Sequence, residues 1–183
     1  MGLRINKMKN KIIYFLPIVV TLFMCLFFFF SLSNDTSKLS SPIIGKKVPE
    51  FSLVSLFQNK ENFNSSVLYS KTPKIVNIFA SWCVPCRAEH DVLMLLSKLE
   101  GVEIYGINYK DDPIKAKNFI NELGNPYINV GIDEQGRTGI DWGVYGIPES
   151  FIIHNGKVIY KHIGPIHISE LDDTILPILK DLK

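Results

Sequence analysis

Two cysteines separated by two residues, in Ser81-Trp82-Cys83-Val84-Pro85-Cys86-Arg87, are the side chains best placed to do chemistry. They follow an apolar, strand-like run over residues 74–80 and open a helical pattern that lasts to about residue 99. At such a junction Cys83 meets the helix N-terminus, where backbone N–H groups and the macrodipole favour a thiolate. Cys86 lies almost one turn further on and faces inward, which suits it to resolve a mixed disulfide rather than to attack. Pro85 costs little in a first turn, because its missing N–H would have had no intrahelical partner. Trp82 is expected to shield one side of the pair and to offer a flat apolar platform to a docking peptide. The implied chemistry is the exchange of one disulfide for two thiols. The blander reading is a permanently oxidised or buried, inert pair. A two-residue spacing closes a strained small ring, a poor choice for a structural staple.

A second stretch, Gly143-Val144-Tyr145-Gly146-Ile147-Pro148-Glu149-Ser150-Phe151, runs into a hairpin. Alone, Pro148 reads as an edge-strand proline and the glycines as turn punctuation. Glu149 opens an apolar strand, and Glu89 falls one helical turn beyond Cys86. A carboxylate beside the dithiol raises thiol pKa values and moderates oxidising power. Glu89 reads equally well as a solvated helix residue. Trp142 reads as core, and Tyr145 as core or groove wall. His90, His154, His162 and His167 lack metal-ligand spacing and read as surface or turn residues. With three cysteines in the chain, neither a disulfide scaffold nor a metal site is expected, and the only redox group is the Cys83–Cys86 pair itself.

The elements that must hold these residues alternate along the chain. Residues 48–54 read as an edge strand entered through Pro49, and 58–72 as a loop holding a short helix or strand. Strands are expected over 75–80, 102–108 and 127–130, the first apolar enough to be covered on both faces. The helix after the cysteines places Val92, Leu93, Leu95, Leu96 and Leu99 on its apolar face and ends at Gly101. Asp111-Asp112-Pro113 caps a second helix running to about residue 124. A short helical turn over 136–141 leads to a hairpin over 150–162, turned by Asn155-Gly156. A closing helix over 168–182 carries Pro177 as a local fault. The order specifies an α/β fold with a mixed central sheet flanked by helices.

The chain has 183 residues, 20 basic and 18 acidic, so its net charge of +2 gives no reason to expect nucleic acid as a partner. Residues 12–30 are apolar apart from Thr21 and Pro17, and Arg4, Lys7, Lys9 and Lys11 precede them. This reads as a signal anchor with its basic flank in the cytoplasm. A cleaved signal peptide is the competing reading, but no small-residue cleavage site follows in 31–34. The expected organisation is a cytoplasmic N-terminus over 1–11, a transmembrane helix over 12–32, a linker over 33–44 and a folded domain over 45–183. Cys25 then lies in lipid, outside the redox chemistry.

Trp82-Cys83-x-x-Cys86 with Ile147-Pro148 before a hairpin resembles the thioredoxin fold. The closer resemblance is to the membrane-anchored cytochrome c maturation thioredoxins called CcmG or DsbE. It rests further on Arg87-Ala88-Glu89-His90, Asn108-Tyr109-Lys110-Asp111-Asp112, Glu122-Leu123-Gly124-Asn125-Pro126-Tyr127 and residues 143–151. The resemblance implies a cis Pro148 beside the dithiol, with the Ile147 backbone free to pair with a substrate strand. It also implies a periplasmic reductant, single-pass in the bacterial inner membrane, with catalytic Cys83 and Cys86. Electrons would come from a membrane thiol transporter of the DsbD/CcdA type and pass to apocytochrome c or a CcmH-type partner. Thioredoxins bury an aspartate six residues before the first cysteine. Here that position is Asn77, which leaves Glu89 and Glu149 as candidates to handle protons.

Two other readings share the fold. A broader TlpA- or ResA-like thiol reductase differs only in its partners. A Sco-like copper metallochaperone would use Cys-x-x-x-Cys and a distant histidine, whereas the spacing here is two. A peroxiredoxin would want threonine where Ala80 stands.

Overall fold

The computed structural model describes residues 3–32, 42–99 and 101–182, and within the first helix the side chains of residues 14–30. The chain divides into two compact units, residues 1–40 and 41–183. The first holds α1 (Leu3–Leu32), with Pro17 inside it. The Thr21 hydroxyl donates to the Pro17 carbonyl at 2.8 Å. Among the described residues no helix is long and apolar enough to cross a membrane. Residues 33–41, most of the expected linker, lie outside the described residues.

The second unit begins earlier than expected, with Ile43 already buried. The edge strand expected over 48–54 shrinks to β1 (Ser52–Leu53), paired antiparallel with β2 (Phe63–Asn64). Pro49 has no N–H to give a ladder, so the flanking chain makes only isolated bridges, Lys47 to Lys157 and Ser55 to Gly131. A 3-10 turn over Ser65–Leu68 leads to β3 (Lys74–Phe79), all six of whose residues are buried. There follow α2 (Val84–Leu96), β4 (Glu103–Tyr109), α3 (Pro113–Leu123), β5 (Asn129–Asp133) and α4 (Arg137–Asp141). The hairpin β6 (Glu149–His154) and β7 (Lys157–Ile163) completes the sheet. Its order is β5-β4-β3-β6-β7, parallel across β3, β4 and β5 and antiparallel across β3, β6 and β7.

Alternation along β3 sorts the core into two faces. Ile75 and Phe79 join Leu93 and Leu96 of α2, Phe119 and Ile120 of α3, and Ile175 and Leu179 of the closing segment. Val76 and Ile78 point the other way, to Phe63, Trp142, Phe151 and Ile153. Trp142 is fully buried there, as expected of a core aromatic. Asp112 caps α3 as its sequence implies, its Oδ1 accepting from the N–H groups of Ile114 and Lys115 at 2.8 and 3.0 Å.

Two helices depart from expectation. α2 stops at Leu96, because Lys98 and Leu99 tighten into i→i−3 bonds to Leu95 and Leu96 and Ser97 Oγ turns back to the Met94 carbonyl. Leu95, on the outer side of α2, and Leu99, beyond its end, are both exposed rather than part of the apolar face. The closing helix is three pieces, α5 (Ile168–Glu170), a π turn over Leu171–Ile175, and α6 (Leu176–Asp181). Pro177 sits in the first turn of α6, where its missing N–H is best tolerated.

The hairpin turn is left-handed at both Asn155 and Gly156, with φ of 51° and 70°, the geometry that Asn-Gly supplies. Beyond it Ile153 pairs with Val158, but Ile152 pairs with Tyr160. Ile159 is thus an extra residue, a bulge in β7.

Candidate active site

Cys83 occupies the N-cap of α2, and the two cysteines are joined as a disulfide with Cα atoms 5.3 Å apart. The Cys83 sulfur accepts the Cys86 N–H at 3.1 Å, so the helix terminus points a donor at the sulfur expected to carry negative charge. Both residues are nearly covered, 4% and 2% exposed, so position on the helix rather than exposure distinguishes them. Trp82 lies open beside them, and its indole N–H donates to the Lys110 carbonyl at 3.1 Å. Asp111 braces the same loop, accepting from the Ser81 N–H at 2.6 Å, the Ser81 hydroxyl at 2.7 Å and Asn108 Nδ2 at 2.9 Å.

Beneath the dithiol, Glu89 is buried, which removes the reading of it as a solvated helix residue. Being three positions beyond Cys86, its Cβ lies roughly 5–6 Å from that of the cysteine. Oε1 accepts from Asn77 Nδ2 at 2.8 Å and Oε2 from the Ile166 N–H at 3.0 Å. Asn77 also donates to Ser150 Oγ at 3.0 Å and accepts from the Tyr127 hydroxyl at 2.9 Å. Burial pushes the Glu89 carboxyl up to about 7, against the lowering effect of its two hydrogen bonds. Burial first, and then the Glu89 charge, raise Tyr127 well above an ordinary phenol, so it stays a donor. The site thus holds one acid able to exchange a proton near neutral pH.

Glu149 is as deeply buried but stands elsewhere. In register Asn77 faces Ser150 and Ile78 faces Glu149, so the two carboxylates lie on opposite faces of the sheet. Glu149 Oε1 accepts the Tyr145 N–H at 3.0 Å, and Oε2 lies 3.0 Å from the Lys161 ammonium. The Ile147–Pro148 peptide is cis, Pro148 is buried, and Ile147 packs against the core cluster that contains both cysteines. Tyr145 is 70% exposed and so belongs to the surface, not the core.

The sequence placed His90 on the surface, whereas it is buried on α2 between Phe119 and Tyr127. Its Nε2 meets the Gly124 carbonyl at 2.9 Å, and burial lowers its pKa, so the ring packs as a neutral group. Lys161, Tyr127, Asp111 and the Ile166 N–H were not legible as parts of the site. Among the described residues no group of three or more His, Cys, Asp or Glu converges as metal ligands would.

A disulfide at the head of a helix, a cis-proline edge and this sheet order define a thioredoxin-like thiol–disulfide oxidoreductase. The Redoxin family profile matches residues 43–175. The thiol:disulfide interchange protein DsbE of Vibrio cholerae is 38% identical over 179 residues, covering 94% of this chain and 96% of that one. That of Yersinia pestis is 41% identical over 177 residues, covering 93% of each. A DsbE structure from Chlorobium tepidum superposes with a TM-score of 0.65 at 26% identity, over 78% of this chain and all of the other. The chain belongs to the DsbE family of thiol:disulfide interchange proteins.

Proposed function

We propose that this oxidoreductase works as a membrane-anchored periplasmic reductant in cytochrome c maturation, acting on the disulfide of apocytochrome c or of a CcmH-type partner. The observation that carries the reading is Glu89, a buried acid one helical turn beyond Cys86. A carboxylate there disfavours thiolates and so favours giving electrons away, in contrast to strongly oxidising members of the fold. The Cys83 thiolate attacks one sulfur of the substrate disulfide, forming a mixed disulfide and releasing one substrate thiolate. Cys86 gives its proton to Glu89 and attacks the Cys83 sulfur. The second substrate thiol leaves, and two electrons have passed from the dithiol to the substrate. A membrane thiol transporter of the DsbD/CcdA type then reduces Cys83–Cys86 again. The exposed Trp82 and the cis-Pro148 edge provide the docking surface, where the Ile147 backbone has no partner among the described residues. The apolar run over residues 12–30 behind a basic flank supports the single-pass anchor.

The test is the potential of the Cys83–Cys86 couple together with a trap. A potential as oxidising as about −120 mV contradicts a reductant. In Cys86→Ser the mixed disulfide on Cys83 persists, and it should hold apocytochrome c or a maturation component. Capture only of other thiol proteins would favour the broader TlpA- or ResA-like reading.

A further inference from the structure

Lys161 is a charged side chain with almost no exposure, held inside the sheet face that carries Trp142 and Phe151. Its ammonium meets Glu149 Oε2 at 3.0 Å and donates to the Gly143 carbonyl at 2.7 Å. It also lies 4.4 Å from the centre of the Tyr145 ring and 5.4 Å from that of Phe151. Glu149 in turn takes the Tyr145 N–H on its other oxygen, and Oε2 has no aligned hydrogen-bond partner besides this charge contact. Gly143, at φ +63°, and Tyr145 are therefore tied from beneath at backbone atoms two residues apart. The segment they bound ends in Ile147 and cis-Pro148, the docking edge.

A buried ion pair is a costly way to fill a core, since apolar groups of similar volume hold a fold as well or better. Its yield here is geometry, because both charges are used on one loop. We infer that Lys161 is a positioning residue for substrate docking, which with Glu149 clamps residues 143–147 so that Ile147 and the Tyr145 ring meet a disulfide-bearing peptide in a fixed arrangement. This deepens the functional reading and rests on its docking edge. It also assigns Glu149 to binding and leaves the proton to Glu89, on the other side of the sheet.

The test uses the reduced full-length protein in detergent, in single turnover against a synthetic peptide carrying an oxidised Cys-x-x-Cys-His loop. Lys161→Met strands a buried carboxylate, so Lys161→Met/Glu149→Gln is measured beside it, removing both charges and keeping an acceptor for the Tyr145 N–H. In the double variant the half-saturating peptide concentration should rise about tenfold with the limiting rate constant within about twofold, the signature of lost uniform binding. The Cys83–Cys86 potential should not move, and exchange of the Tyr145 amide hydrogen should accelerate in Lys161→Met. An unchanged half-saturation, or a potential that shifts with it, overturns the inference. If wild type reduces a small aromatic disulfide but not the peptide, the functional reading fails instead, and the clamp is then decided by Tyr145 amide exchange alone.

Discussion

Glu89 and Glu149 show how little residue type says without surroundings. Both are buried acids within a few residues of the chemistry, yet one is met by an amide and a backbone N–H and the other by an ammonium. Burial leaves the first able to take up a proton near neutrality. Its carboxyl rises from 4.5 to about 7 on folding, so between those pH values the native state holds a proton that the unfolded chain has released. Stability therefore falls as pH rises through that window, by about 3 kcal/mol at 1.36 kcal/mol per unit. Urea unfolding of the oxidised protein at pH 5 and pH 8 should show this loss, and Glu89→Gln should flatten it. The burial of Glu89 and His90 had a signal in the sequence. Cys86, Glu89, His90, Leu93 and Leu96 recur at helical spacing, and it was their polar chemistry that masked a shared inward face. Tyr127 had none, because its bond to Asn77 spans fifty residues of sequence.

Among the elements, those set by local rules were readable: β3 by its apolar run, α3 by Asp112 and Pro113, the hairpin by Asn155-Gly156. The pairing of Lys161 was not. A regular two-residue hairpin would set Lys161 opposite Ser150, on the face that holds Glu89. The extra Ile159 shifts the ladder so that Lys161 lies opposite Phe151 and reaches Glu149. Deleting Ile159 removes the extra residue yet leaves Tyr160 opposite Ile152 and Lys161 opposite Phe151, so the ion pair should survive the deletion. Denaturant titration measures this, and a loss of about 3–5 kcal/mol, that of a buried carboxylate left without its cation, would mean that the pair had parted.

At the scale of the whole molecule, both core clusters draw all their residues from positions 43–179. A fragment beginning at residue 42 should fold alone, with an unfolding midpoint within about 2 °C of the full chain. Alkaline carbonate extraction should leave the full chain with the membranes and release the fragment. The apolar run over residues 12–30 was legible from composition, whereas the extent of the folded unit was not, since nothing local marks Ile43 as its first buried residue among the described ones.

The central sheet, one residue thick, keeps the two acids apart. In the proposed scheme, proton affinity is set on one side and the grip on a guest strand on the other. On the proposed reading, substitutions around Lys161 redirect the protein to new clients while the potential of the dithiol stays put, and changes around Asn77 do the reverse. Two properties that a single crowded pocket would force to vary together are free, in this architecture, to be adjusted one at a time.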